Sequence, residues 1–361
     1  MSSPSTGLRR PERRPLFLVG GMVLLIALTV WRFYIADPPA RLLNFSGHTM
    51  GTTFHVKVVA DSRSQQSDES RAHLAEVIDA ALSGVDAAMS SYRPQSELSR
   101  FNDSAANVDF SLSADTVTVV ALSLELARLS GGAFDPTVGP LVDRWGFGPD
   151  KGITALPSDA ELAALSSRVG YEHLTLDVSA ATLRKNTKDL HLDLSAVAKG
   201  FAVDKVGEAL HLAGFDAYMV EVGGELHVSG ATELGRPWRL AIETPDSETR
   251  EIYEVLSLKD RSMATSGNYR NFAEIGGVRY SHTIDPRTAR PVTHSLASVT
   301  VVDRTCARAD ALATTLSVLG PEQGVQFART HDIAALFLVS EDDSLTELVT
   351  PAFEALRSAS Q

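Results

Sequence analysis

The chain has 361 residues and a formal net charge of −12 at pH 7, with 44% apolar and 22% charged residues. This length suffices for one large domain or two ordinary ones, and the composition is typical of a folded globular protein. The negative charge argues against nucleic acid as a partner, because phosphate backbones are bound by positive surfaces. The single cysteine, Cys306, excludes an internal disulfide and a zinc centre built from thiolates.

The first predicted element is a membrane anchor near the N-terminus. Residues 15–31 are apolar and uncharged, and four arginines precede them. With Arg32 reaching towards the headgroups, this run predicts a single transmembrane helix over 15–36. The arginines would keep a basic tail, 1–14, in the cytoplasm, which places the remaining chain on the outer, periplasmic face of the inner membrane. A cleaved signal peptide is the alternative, and a buried core helix is a third interpretation that the arginines disfavour.

After the anchor, the sequence predicts a short stiff linker at 37–44, one large domain over 45–350 and a C-terminal tail at 351–361. Helical spacing and strand alternation are mixed along the domain without regular alternation, which favours a single large α+β domain over a doubly wound sheet. Helices are predicted over 69–89, 114–130, 196–213 and 306–319. Strands are predicted over 52–60, 217–222, 226–229, 238–243, 253–258, 279–284, 297–303 and 333–339.

Asp310 is the only acid in the apolar run "RADALATTLSVLG" (308–320). A buried carboxylate normally has a charged partner or binds a metal ion. In a helix, Asp310 and Thr314 stand one turn apart on one face, and such an oxygen pair suits a hard cation such as Mg²⁺. The alternative is structural, with Asp310 capping the helix or pairing with Arg308.

The run "LDLSAVAKGFAVD" (192–204) predicts a strand end followed by a helix, with Ser195 as its N-cap. Helix N-termini attract anions, and Lys199 would lie one turn inside, where a cation could contact a phosphate. An ordinary strand-to-helix turn with a solvated lysine is the alternative. Gly200 favours the first interpretation, because a glycine weakens a helix unless something must approach its backbone closely.

Four further motifs are weaker when taken alone. The run "GGAFDPTVGP" (131–140) predicts a stiff loop that could wall a flat ring, or a structural turn. The glycines of "VEVGGELHVSG" (220–230) predict a hairpin turn, and "MATSGNYRNF" (263–272) predicts a polar turn. In "YSHTIDPRTARPV" (280–292), His282 is a candidate acid, base or phosphate contact, although a lone histidine is more often structural. The usual P-loop, dinucleotide, nucleophile-elbow and zinc-protease signatures are absent from the sequence.

The order of these motifs, together with "HTMGTTFHV" and "SSYRPQSELSRFN", resembles the ApbE family, the FAD:protein FMN transferases. The resemblance covers about 45–340 and implies an ApbE-like fold. It implies cleavage of FAD at its pyrophosphate and Mg²⁺-dependent transfer of FMN to a threonine hydroxyl of a target flavoprotein, with release of AMP. A membrane anchor would hold such an enzyme near extracytoplasmic redox proteins.

The resemblance also implies roles for particular residues. Asp310 and Thr314 would bind the metal ion with backbone oxygens of Ala196 and Ala313. The implied FAD-binding residues are Met50, Tyr92, Ala133, Phe134, Asp135, Asp193, Lys199 and Ile284. His282 and Asp310 are the candidate catalytic residues, and His282 would handle the proton or contact the phosphate.

Ala289 departs from the family pattern, which usually has glycine at this point of "DPRTARP" (285–291). If the position requires a positive φ, alanine costs about 1 kcal/mol. Two other activities remain open at this point. One is an FAD pyrophosphatase, in which water replaces threonine and FMN leaves free. The other is a non-catalytic flavin-binding or flavin-delivery protein.

Overall fold

An eight-stranded antiparallel sheet is the centre of the fold. A computed structural model describes residues 14–30, 38–148, 155–245, 251–267, 272–275, 278–341 and 344–360. In their order across the large sheet, the strands are β1 (Arg41–Thr49), β2 (Thr52–Ala60), β6 (Tyr218–Val222), β7 (Glu225–Ser229), β10 (Arg261–Gly267), β15 (Leu296–Asp303), β16 (Ala334–Glu341) and β17 (Ser344–Val349).

Smaller sheets flank the large one. They are formed by β3 (Phe110–Ser111) with β5 (Thr182–Lys185) and β4 (Leu174–Asp177), β8 (Trp238–Glu243) with β9 (Ile252–Leu258), β11 (Phe272–Ile275) with β12 (Val278–Ser281), and β13 (Ile284–Asp285) with β14 (Arg290–Pro291). The helices are α1 (Arg14–Val30), α2 (Asp68–Met89), α3 (Glu97–Asn102), α4 (Ala114–Leu129), α5 (Gly139–Arg144), α6 (Asp159–Ser166), α7 (Ser195–Leu212), α8 (Cys306–Thr330) and α9 (Pro351–Ala359).

The two faces of the large sheet are covered by different layers. Side chains such as Val56 and Val220 pack against α2, α7 and α8, and we call this side the helix face. Side chains such as Val59 and Val228 pack against the β8–β9 hairpin and α9, and we call this side the hairpin face. Alternating residues of one strand thus enter two separate cores, as the period of two in a strand requires. The observed architecture is the predicted mixed α/β fold.

Most of the predicted elements are confirmed. The strand over 52–60 and the helices near 69–89, 114–130 and 196–213 agree with β2, α2, α4 and α7 to within one residue. Ser67 and Ser113 begin α2 and α4, because each side chain accepts a hydrogen bond from a first-turn backbone N–H. Helical periodicity therefore located these helices correctly, and the capping serines are seen only in the structure.

One of the motif predictions is wrong at the element level. The polar turn expected at 263–272 begins as the strand β10, and 268–271 lie outside the described residues. The helix predicted over 306–319 is confirmed, because α8 is interrupted at Gly320 (φ 74°), before Pro321, and a second helical stretch then runs to Thr330. Pro321 cannot donate to the preceding turn, so the chain bends there and helix formation resumes.

Three of the predicted segments, the linker, the C-terminal tail and the anchor, can be compared with the structure. β1 includes 41–44, the end of the predicted linker, and α9 occupies most of the predicted C-terminal tail, with Phe353 fully buried. Residues 1–13 and 31–37 lie outside the described residues, so the anchor predicted over 15–36 is only partly described, as α1. Within the described part of the chain, no helix combines the length and apolarity that crossing a membrane requires.

Candidate functional site

A cavity of about 790 Å³ lies at the end of the large sheet where β2 begins, β6 ends and β7 begins. The turn Gly223–Gly224 connects β6 and β7 there, with φ of 61° and 102°. Both residues thus adopt the left-handed backbone of a two-residue hairpin turn, which confirms the predicted turn. The N-terminal part of α7 and the first turns of α8 form the opposite wall.

A lysine between two carboxylates is the main charged feature of the cavity. Lys199 Nζ lies 3.5 Å from Glu225 Oε1 and 3.6 Å from Asp310 Oδ2. The side chains of Glu225 and Asp310 are only 6% and 5% exposed. Glu225 Oε2 is buried without a hydrogen-bond partner. Two buried carboxylates facing one ammonium leave the cluster one negative charge in excess when all three groups are ionised.

Burial shifts the pKa values of all three groups. Loss of solvation raises the pKa of Glu225 to about 8, and Lys199 opposes this shift while Asp310 adds to it. Burial likewise raises the pKa of Asp310, against the favourable effects of Lys199 and the Gly200 N–H. Burial lowers the pKa of Lys199, but the two carboxylates outweigh this effect and raise it above its ordinary value. A further cation near the two carboxylates would stabilise their ionised forms.

Close contact between α7 and α8 sets the position of Asp310. The Gly200 N–H donates a 3.1 Å hydrogen bond to Asp310 Oδ2. A Cβ at Gly200 would lie 2.3 Å from the carbonyl oxygen of Cys306, so only glycine permits this approach. The close approach predicted at Gly200 is confirmed, and its partner is the backbone of α8. Arg308 forms ion pairs with Glu125 and Asp303, so the alternative Arg308–Asp310 pair is not the one formed.

The start of α7 differs from the prediction in one detail. Leu194 occupies the N-cap position without a side-chain cap, and Ser195 is the first helical residue. Instead Asp193 Oδ1 accepts a 2.8 Å hydrogen bond from the Ser195 N–H. The predicted Ser195 cap is therefore wrong, because the aspartate two residues before Ser195 satisfies that backbone donor.

The oxygen atoms near Asp310 are suitable ligands for a hard cation. Thr314 lies one turn further along α8, its Oγ1 is 3.4 Å from Ser266 Oγ, and Ala196 lines the same cavity. No group of three or more His, Cys, Asp or Glu side chains that could hold a metal ion occurs in the described ranges. A single carboxylate with neutral oxygens fits Mg²⁺, which usually takes its remaining ligands from water and substrate phosphates.

Five predicted flavin-binding residues besides Lys199 line the same cavity: Ala133, Phe134, Asp135, Asp193 and Ile284. The carboxylate of Asp135 already accepts hydrogen bonds from the backbone N–H and hydroxyl of Thr137 and from the Tyr171 N–H. Asp135 thus fixes the loop after α4, and Phe134 beside it offers an aromatic wall. Asp193 additionally donates its backbone N–H to the Pro136 carbonyl, which joins this loop to the start of α7.

Three other predicted residues do not line the main cavity. Met50 lies at the β1–β2 turn with φ 48°, in a smaller adjoining depression that shares Thr52 and Thr53 with the cavity. Tyr92 is 62% exposed just after α2. Ala313 is fully buried in α8 and is not a lining residue. Their roles in binding flavin or metal stay predictions.

His282 lines the cavity near the β13–β14 turn, with its ring edge-on to Phe147 at 6.3 Å between centroids. This turn packs through Ile284 and Ala289 against the cluster around Trp145. Ala289 has φ 59°, so the positive φ considered for this position is present. The Trp145 indole N–H donates to the Ala289 carbonyl and holds the strained turn in place.

Sequence reasoning missed Glu225, Ser266 and the pair His55–Glu221, all of which line the cavity. Glu225 directly follows the Gly223–Gly224 turn, and a buried acid at the start of a strand was an available signal. Ser266 was placed in a turn, whereas it lies on β10. His55 and Glu221 pair because β2 and β6 are in register, and the residues around each of them in the sequence do not predict this pairing.

The structure is thus a mixed α/β fold with a large cavity that contains a buried carboxylate–lysine cluster. A model of the ApbE family matches residues 50–337, and the chain belongs to this family. The resemblance drawn from the motifs is thereby confirmed, and the chain is an enzyme of the transferase class.

Relatives and solved structures agree with this assignment. The chain is 43% identical over 327 residues to a Vibrio cholerae protein named FAD:protein FMN transferase, covering 89% of this chain and 95% of that one. It is 40% identical over 320 residues to a protein of the same name from Haemophilus influenzae, covering 88% and 92%. The solved structure of the flavin transferase ApbE from Vibrio cholerae superposes with a TM-score of 0.80 at 42% identity, covering 88% of this chain and all of that one.

Proposed function

We propose that this protein transfers FMN from FAD to a threonine hydroxyl of a target flavoprotein, with Mg²⁺ as cofactor and AMP as the leaving product. The observation that supports this most is the Lys199–Glu225–Asp310 cluster in a cavity large enough for a dinucleotide. In this reaction the threonine oxygen forms a bond to the phosphorus of the FMN half. The bond from that phosphorus to the AMP oxygen breaks, and the hydroxyl proton passes to a base.

The residues of the cluster fit the charge changes of this reaction. Negative charge accumulates on the pyrophosphate oxygens, and the Lys199 ammonium can stabilise it from inside the cavity. Asp310 and Thr314 would hold Mg²⁺ with backbone oxygens of Ala196 and Ala313. When bound, Mg²⁺ would supply electrophilic stabilisation of the phosphate oxygens. The two buried carboxylates are the local feature that favours such a cation, because a nearby positive charge would stabilise their ionised forms.

The remaining residues of the cavity would hold the FAD molecule. Phe134 and Ile284 provide apolar surface for a ring, and Asp193 provides an acceptor beside the N-terminus of α7. Met50 and Tyr92 would contribute from the rim. His282 would contact the phosphate or handle the proton.

We further propose that the enzyme is held at the inner membrane by a helix over 15–36, with its catalytic domain on the periplasmic face. The four arginines before this segment support that orientation through the positive-inside rule. The acceptors would then be membrane or extracytoplasmic redox flavoproteins that carry the target threonine.

An analysis of reaction products tests the activity against its alternatives. The purified chain is incubated with FAD and Mg²⁺, with and without an acceptor domain, and AMP and free FMN are quantified. Transfer predicts AMP that depends on the acceptor, with no matching free FMN, and EDTA abolishes it. Equal amounts of AMP and free FMN would indicate a pyrophosphatase, and FAD that stays intact would indicate a flavin-binding protein.

A further inference from the structure

Residues 190–194 connect β5 to α7, and they belong to neither a helix nor a strand. Asp193 lines the cavity, whereas Leu190 and Leu192 are buried in the core of the helix face. A buried segment without a neighbouring strand still has backbone N–H and C=O groups that require hydrogen-bond partners. The side chains that supply these partners therefore help to determine where Asp193 lies.

Asn102, the last residue of α3, takes the place of a neighbouring strand for this segment. Its Nδ2 donates a 3.0 Å hydrogen bond to the Leu192 carbonyl, and its Oδ1 accepts a 2.8 Å bond from the Leu192 N–H. One side-chain amide thus makes both hydrogen bonds that a paired residue makes in an antiparallel ladder. Asn102 ends the run "SSYRPQSELSRFN" (90–102), and it has no role in the site described above.

Lys185 joins Asn102 to the same segment. Its side chain is fully buried, and Nζ donates to the Asn102 carbonyl at 2.5 Å and to the Leu190 carbonyl at 3.2 Å. The ammonium also lies 5.5 Å from the ring centroid of Phe101. A buried cation that is held by two carbonyls and an aromatic face is costly to displace. We call these two side chains the Asn102–Lys185 clamp.

The Asn102–Lys185 clamp acts on the cavity through Asp193. Asp193 directly follows Leu192, and its own N–H donates a 2.7 Å hydrogen bond to the Pro136 carbonyl. Neither Asn102 nor Lys185 is a lining residue of the cavity. The clamp therefore sets the position of the Asp193 carboxylate without meeting the ligand itself.

The charged cluster of the cavity is held by other contacts. The Gly200 N–H donates to Asp310, and the close approach of Gly200 to the backbone of Cys306 fixes α7 against α8. Loss of the clamp should consequently displace Asp193 while Lys199 stays beside Asp310.

We propose that Asn102 is a positioning residue for FAD binding, which fixes Asp193 against the substrate while Lys185 holds Asn102 in place. This inference rests on the proposed FMN transfer, in which Asp193 is an acceptor for a group of FAD. Because Asn102 does not touch the reacting atoms and the charged cluster is held separately, its removal should weaken FAD binding and spare the chemical step.

The test measures kcat and the KM for FAD of the full chain in transfer to an acceptor domain, and the Kd for FAD by flavin fluorescence without Mg²⁺. Asn102→Ala should raise the KM and the Kd about 10-fold, the equivalent of one hydrogen bond, while kcat stays within about twofold. Asn102→Asp keeps the shape of the side chain and the bond from the Leu192 N–H, but it places an oxygen against the Leu192 carbonyl. It should raise both constants at least ~3-fold, and it decides the outcome if Asn102→Ala does not fold.

A double variant tests whether Lys185 acts on the same segment as Asn102. Lys185→Met has a similar volume without the ammonium, and it should raise the KM for FAD roughly 3- to 10-fold. Since both side chains hold one segment, the variant Asn102→Ala/Lys185→Met should raise the KM by less than the product of the two single increases. Increases that multiply would overturn the role of Lys185.

The matched control is Thr350→Val. Thr350 Oγ1 holds the backbone in a similar way, since it accepts a 2.9 Å bond from the Ala335 N–H and donates a 2.8 Å bond to the Ile333 carbonyl, but Thr350 does not line the cavity. This variant should lose stability in urea unfolding and keep the wild-type KM for FAD. If Asn102→Ala raises the KM no more than Thr350→Val, or lowers kcat instead, the inference is overturned while the proposed function stands. A wild-type chain that transfers no FMN overturns both.

Discussion

Gly200→Ala tests whether the contact between α7 and α8 builds the site. A Cβ at this position would lie 2.3 Å from the Cys306 oxygen and 2.8 Å from Ala307 Cα, and both are backbone atoms that cannot rotate away. The two helices must therefore move apart, which weakens the hydrogen bond from the Gly200 N–H to Asp310. Overpacking and loss of this buried bond, less the helix propensity gained, predict a loss of about 2–4 kcal/mol in the free energy of unfolding.

The function should suffer beyond this loss of stability. Asp310 and Thr314 lie on α8 while Lys199 lies on α7, so separating the helices pulls the two halves of the site apart. A displacement on the order of 1 Å lowers the rate of a positioned reaction about 100-fold. We expect that decrease in FMN transfer under conditions where the variant remains folded.

Urea unfolding and single-turnover transfer measure the two effects. The matched control is Gly84→Ala, which lies on the exposed side of α2 with no atom within 4 Å of the added Cβ. This variant should be more stable than wild type by up to about 1 kcal/mol and fully active. If Gly200→Ala behaves like Gly84→Ala, the reasoning about the α7–α8 contact is refuted.

Three further predictions concern other parts of the fold and site. Asp204 accepts hydrogen bonds from the backbone N–H groups of Cys306 and Ala307, and burial raises its pKa to about 6. Between pH 4 and 6, Asp204 therefore keeps its proton in the folded state and has lost it in the unfolded state. The free energy of unfolding of the wild type should therefore fall as pH rises from 4 to 7, by about 2 kcal/mol more than that of Asp204→Asn. The difference is smaller than the full pKa shift implies, because the N-terminus of α8 stabilises the carboxylate. Ala289→Gly should raise the free energy of unfolding by roughly 0.5–1 kcal/mol, because the φ of 59° strains alanine but not glycine. Asp310→Ala should abolish Mg²⁺-dependent turnover and leave the fold intact, since Lys199 keeps its contact with Glu225.

Each of these predictions has a result that contradicts it. Parallel pH–stability curves for wild type and Asp204→Asn in urea unfolding would show that Asp204 does not titrate in this window. Ala72→Gly, at an exposed position of α2, should lose about 1 kcal/mol, and a similar loss in Ala289→Gly would refute strain at Ala289. Unchanged turnover of Asp310→Ala, followed by AMP release with and without EDTA, would remove the metal assignment.

Local patterns predicted the elements of the fold better than the arrangement of the site. The alternation of Phe54, Val56 and Val58 located β2, and Gly223–Gly224 located the hairpin, because both features depend on neighbouring residues only. The chemistry of Asp310 was also readable, since a lone acid in an apolar helix needs a partner.

Contacts between distant segments could not be read in the same way. Glu225 and Lys199 are 26 positions apart in the sequence, and helix packing brings their side chains together. His55 and Glu221 are 166 positions apart, and the register of β2 with β6 makes them neighbours. Gly200 signalled a close approach, but only the structure identifies α8 as the neighbour. The family resemblance located Lys199 and Asp310 in the site, whereas it did not point to Glu225 or Ser266.

The mass of an acceptor domain after incubation with the chain, FAD and Mg²⁺ tests the central claim most directly. The account predicts a gain equal to one FMN on a threonine, with one AMP released for each modified acceptor, and neither product after EDTA is added. An acceptor of unchanged mass, from a flavoprotein that a related transferase does modify in parallel, would contradict the account.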